Sequence, residues 1–114
     1  MPKYLILFNA PMPAGEFMDQ SSAEQKQAGM KAWMDWKEEA DKTVGFEFGM
    51  PVQVVDRITP DAVVESDNTA SGYAIMEGDK DKVADALKTH PHLKRPGATI
   101  DVLEMLGMDG ITQS

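Results

Sequence analysis

From Lys3 to Asn9 the chain reads KYLILFN, a run of aromatic and branched residues that stops at the breaker cluster Ala10 to Gly15 with its Pro11 and Pro13. That is the pattern of a β-strand. If Tyr4, Ile6 and Phe8 face one side, Leu5, Leu7 and Asn9 face the other, and the strand is apolar on both. A long stretch without proline follows, in which Ser22 and Gln25 form a capping-box pair, so a helix is expected from Ser21 or Ser22 to about Lys42. Met30, Trp33, Trp36 or Lys37, and Ala40 recur there at steps of three and four. Lys31, Asp35, Glu38 and Glu39 mostly fall on other faces, leaving one apolar face that carries both tryptophans. Gly29 inside this helix costs about 1 kcal/mol relative to alanine, a cost explained either by another backbone packing closely or by chance retention.

After a stop at Gly45, the branched segment Met50 to Ile58 (MPVQVVDRI) favours a second strand, and Pro51 puts its start near an edge or a bulge. Thr59 to Ser71 is dense in turn-formers and acids and reads as a longish hairpin loop before a third strand, Gly72 to Glu77. A second helix starts at Gly78 or Asp79, with Val83, Ala84, Ala86 and Leu87 as its apolar stripe, and His90-Pro91 ends it. Thr99 to Leu106 alternates as a last strand. The order strand, helix, strand, strand, helix, strand predicts an α+β fold of ferredoxin-like βαββαβ type, an antiparallel sheet with both helices on one face. The other face then holds apolar side chains that need a cover, and a homodimer supplies it. One domain over 1–108 is expected, with a flexible C-terminal tail over 109–114.

Charge narrows the partners. With 11 basic and 19 acidic residues the net charge is −8, which argues against nucleic acid or an anionic membrane. Ala86 to Gly97 is the exception, holding Lys88, Lys94 and Arg95 and no acid, so the rest of the chain carries −11. The chain has no cysteine. That removes disulfides, thiolate metal sites and thiol nucleophiles, and is compatible with a cytoplasmic location. No export signal is read at the start.

Both histidines, His90 and His92, lie in the cationic segment, so every imidazole available for proton transfer near neutral pH sits in one place. A histidine oriented by a carboxylate such as Asp61 would move a proton, with Lys94 or Arg95 holding an anionic oxygen of the substrate. The plainer reading has more weight: basic groups at a helix C-terminus offset its dipole, and His90 merely precedes the proline that stops the helix. His-x-His with Asp56, Asp61 or Glu104 is a weak metal pattern where carboxylates are this abundant, and neither a metal nor a cofactor is expected. Spacing assigns Trp33 to the core and leaves Trp36 between core and pocket wall. Phosphate loops and Ser-His-Asp signatures are absent.

The opening KYLILFNAP, the segment ITPDAVVES followed by GYAIMEG, and the ending ALKTHPHLKRPGATIDVLEML together resemble the YCII-related family, in its branch named for a DGPF motif. The similarity runs from Lys3 to about Met108. It implies a dimeric α/β barrel, two ferredoxin-like sheets meeting face to face, and a cleft in which a histidine and an aspartate are suspected of acting together. Where the motif would read Asp-Gly-Pro-Phe this chain has Asp61-Ala62-Val63-Val64, so only the aspartate carries over. His90-Pro91 and Ile100-Asp101-Val102 match the family's later elements. Three classes of function follow: a cofactor-free enzyme acting on a small anionic or aromatic metabolite through His90 or His92 with Asp61, and with Lys94, Arg95 and Trp36 binding the substrate; a small-molecule binding or sensing module; or a non-catalytic dimeric scaffold.

Overall fold

A computed structural model describes residues 2–106. The alternation in the first seven-residue run is expressed as drawn: in β1 (Lys3–Asn9) Tyr4, Ile6 and Phe8 are buried, while Leu5, Leu7 and Asn9 are half-exposed on the opposite face. A short helix follows, α1 (Ala14–Gln20). Then comes α2 (Ala23–Ala40), whose start is the expected capping box: Ser22 Oγ accepts from the Gln25 backbone N–H at 3.1 Å, and Gln25 Oε1 accepts from the Ser22 N–H at 2.7 Å. The chain continues through β2 (Gly45–Pro51), a small ribbon of β3 (Arg57–Ile58) and β4 (Val63–Val64), β5 (Ala70–Glu77), α3 (Lys80–Leu87), a 3₁₀ turn over Pro91–Lys94, and β6 (Thr99–Glu104).

The fold is α+β: the described residues form three α-helices with a four-stranded antiparallel sheet in the order β2-β5-β1-β6 and the separate two-stranded ribbon β3-β4. β1 and β2 are therefore split by β5, and β5 and β6 by β1. Trp36 and Ala40 of α2 and Val83 and Leu87 of α3 join Tyr4, Ile6, Phe8, Phe46, Ala74 and Met76 in a single buried cluster. Both helices thus cover the same sheet face, and Trp36 Nε1 ties them by donating to the Ala86 carbonyl at 2.9 Å. The whole is a slab only 19 Å thick, two layers with one sheet face left open. On that face the strand register brings Leu5 level with Ile75 and Leu103, and Leu7 level with Tyr73.

Several expectations are corrected. The second strand is Gly45–Pro51, not Met50 to Ile58: Phe46 and Phe48 pair with Met76 and Ala74, and their rings pack against each other at 5.1 Å, which outweighs the branched composition farther on. Pro51 is at an edge and an irregularity as expected, but it ends the strand. Glycine in that strand has a reason at Gly49, where an added Cβ would collide with the Tyr73 carbonyl and ring. The breaker cluster runs straight into α1. In α2 the apolar face begins only at Trp33; Met30 is 64% exposed, and Ala84 in α3 is exposed too. Nothing lies within 4 Å of a Cβ built on Gly29, so no close-packed backbone accounts for it. The tail 109–114 lies outside the described residues.

Candidate functional site

β1 ends where α2 and the 3₁₀ turn converge, and the side chains that meet there are almost all rings. Phe8 from β1, with Trp33 and Trp36 from α2, enclose His90, their ring centroids lying 4.8, 4.3 and 4.4 Å from the imidazole. His90 is 1% exposed. It stands as the N-cap of the 3₁₀ turn with Pro91 at the first helical position, and its Nδ1 accepts the backbone N–H of His92 at 2.9 Å. An accepting Nδ1 leaves the proton on Nε2 in the neutral ring, and Nε2 has no hydrogen-bond partner among the described residues. Burial, with His92 adding a smaller effect, pushes the imidazole down to about 3, so it is neutral throughout the physiological range.

His92 is also buried. Its Nε2 lies 2.8 Å from the Asn9 carbonyl, an acceptor only, so that nitrogen donates. Burial lowers its pKa as well, with the Asn9 carbonyl opposing the shift. Asn9 in turn donates through Nδ2 to Asp101 at 2.9 Å on the neighbouring strand. The histidines are thus fastened to main chain and to aromatic rings, and among the described residues neither ring bonds a carboxylate.

Around this buried centre lie accessible groups. Trp33 is half-exposed and stacks on Phe48, 43% exposed, with centroids 6.3 Å apart and 26° between planes. Past the histidines on the same turn, Lys94 is exposed with no ion-pair partner among the described residues. The Arg95 guanidinium lies 3.9 Å over the Phe17 ring, a cation–π contact; partial burial lowers its pKa. Two recesses, one at Ala10, Pro11 and Val54 and one at Gly45, Phe46 and Ile75, hold about 50 and 80 Å³, far less than the roughly 300 Å³ at which small-molecule pockets begin, and neither is lined by a histidine, Trp33, Lys94 or Arg95.

The candidate residues therefore separate. His90, His92, Lys94, Arg95 and Trp36 are brought into one neighbourhood, with Trp36 now core at 8% exposure and Trp33 the more accessible of the two. Asp61 is elsewhere, exposed in the turn of the β3-β4 ribbon, and hydrogen-bonds to neither histidine. Among the described residues no three histidine, cysteine or acidic side chains are grouped to hold a metal ion. None of the helices there is long and apolar enough to cross a membrane. Asn9 and Phe17 escaped the sequence reading: the first looks like the end of a strand and the second follows a proline-rich breaker. Comparison of the chain with protein-family models, with curated proteins and with solved structures finds no match.

Proposed function

We propose that this chain is a ferredoxin-like subunit related to the YCII proteins, that it works as a homodimer, and that it binds a small aromatic anion without turning it over. The strand order β2-β5-β1-β6, with α2 and α3 on one face, supports the fold reading. The open face carrying Leu5, Leu7, Tyr73, Ile75 and Leu103 supports the dimer, because a patch of that kind is normally covered.

Binding is favoured over catalysis by one observation: His90 and His92 are 1% and 4% exposed, with His90 Nδ1 and His92 Nε2 each committed to a main-chain bond. A proton-transfer group needs access to its substrate and a pKa near the working pH, and His90 has neither. The accessible chemistry is the Trp33–Phe48 stack, suited to an aromatic ring, together with Arg95, suited to a carboxylate. Thermal melting in benzoate, with neutral benzamide as control, tests this reading. It requires that benzoate raise the melting temperature, benzamide less, and that Arg95→Ala and Trp33→Ala each remove the effect. A shift that survives Arg95→Ala would refute the assigned site.

A further inference from the structure

The chain from 53 to 69 behaves as a separate arm. Every residue in it except Ser66 is exposed, and β3 and β4 pair only with each other. Its base is tied down: the Val52 N–H donates to the Ser71 carbonyl at 3.1 Å, Gln53 Oε1 accepts from the Gly15 N–H at 2.8 Å, and the Ala10 N–H donates to the Thr69 carbonyl at 3.0 Å. Beyond those ties the arm stands away from the body. The radius of gyration is 15.8 Å, against about 13 Å for a compact chain of this size.

Its composition is unsuited to open water. Val55, Ile58 and Val63 are 80%, 78% and 63% exposed, and a two-stranded ribbon without further packing is marginally stable at best. It is also acidic, with Asp56, Asp61, Glu65 and Asp67 against the single Arg57, which Asp67 already pairs at 2.9 Å. Lys3, Lys26, Lys80 and Lys82 are exposed without an ion-pair partner among the described residues, but the stretch Ala86 to Gly97 alone combines free basic groups with no acid and an exposed apolar side chain. On the 3₁₀ turn, Leu93 is 40% exposed and Lys94 beside it has no carboxylate partner among the described residues.

We propose that the β3-β4 ribbon docks on the 3₁₀ turn of a second copy of the chain, setting Ile58, Val63 and Val64 against Leu93 and the carboxylates of Asp61 and Glu65 against Lys94. This rests on the homodimer proposed above and deepens it. Asp61 then meets the histidine segment across the interface rather than within one chain, and each copy closes the other's cleft. Charge complementarity of this kind fixes register and partner choice, and the exchange is reciprocal about a two-fold axis.

The test uses the unaltered protein. Unlabelled and ¹⁵N-labelled chains are unfolded, mixed and refolded together. A water-soluble carbodiimide then joins ion-paired amines and carboxylates as amides, the products are digested and read by mass spectrometry, and the solution mass is measured by light scattering on the same sample. Expected is an amide between Lys94 and Asp61 or Glu65 in which light and heavy halves are combined. A dimeric mass without that mixed adduct, or with the adduct only inside single chains, overturns the docking and leaves the dimer standing. A mass of one chain overturns the dimer and the docking with it.

Discussion

The backbone N–H of His92 donates to Nδ1 of His90 at 2.9 Å, and that bond ties two imidazoles two residues apart into one structural unit. One ring is spent capping the turn that carries the other, and the second is held by the Asn9 carbonyl. Phe8 touches both rings, with centroids 4.8 and 5.3 Å away. The pair is therefore a joint between β1 and the 3₁₀ turn, with α2 packed over it.

Replacing His90 by alanine would leave a hole between Phe8, Trp33 and Trp36 and strip the His92 N–H of its acceptor. The cavity and the orphaned donor together cost about 3–4 kcal/mol. Urea unfolding should show that loss. His90→Asn, which keeps an acceptor at the cap, should recover part of it, and equal stability for the two variants would contradict the capping role.

Stability should fall in mild acid. The folded His90 ring titrates at about 3 against 6.5 when free, so above pH 6.5 both states are neutral at this ring and it contributes no pH dependence. As pH drops through 6.5 the unfolded chain binds a proton that the folded one refuses, and the balance shifts toward unfolding until the folded ring also titrates near 3. His92 acts in the same direction. A loss of about 1–2 kcal/mol between roughly pH 7 and pH 5 is expected from His90. Urea midpoints measured across that range on the wild type and on His90→Asn should converge toward the acid end.

Two glycines should respond oppositely to alanine. Gly29 faces open space on an exposed helix turn, so Gly29→Ala should stabilise by about 0.5–1 kcal/mol. At Gly49 the new methyl would meet the Tyr73 carbonyl and ring, and Gly49→Ala should destabilise by about 1–3 kcal/mol. Melting temperatures of the two variants decide both.

What could be read from the sequence and what could not have separate physical origins. The first strand, the capped start of α2, the third strand and α3 all lie where local pattern and tertiary packing agree. MPVQVVDRI is richer in branched residues than GFEFGMP, yet the sheet took the latter, because Phe46 and Phe48 have Met76 and Ala74 to pair with, whereas Val54 and Val55 lie exposed outside any strand. Trp33 and Trp36 are separated by less than a helical turn, so spacing could not tell which was deeper; the contact with Ala86 and Phe46 decides for Trp36. Clustering of His90, His92, Lys94 and Arg95 was legible because they are neighbours in sequence. The placement of Asp61 on a separate arm was not, since it depends on how far the ribbon stands from the body.

In the proposed homodimer a second copy covers both the open sheet face and the arm. Molar mass by light scattering at micromolar concentration, on the wild type and on Leu7→Lys in the middle of that face, distinguishes one chain from two. Expected is twice the 12.5 kDa chain mass for the wild type and a shift toward one chain for Leu7→Lys. A wild-type mass of one chain would contradict the homodimer.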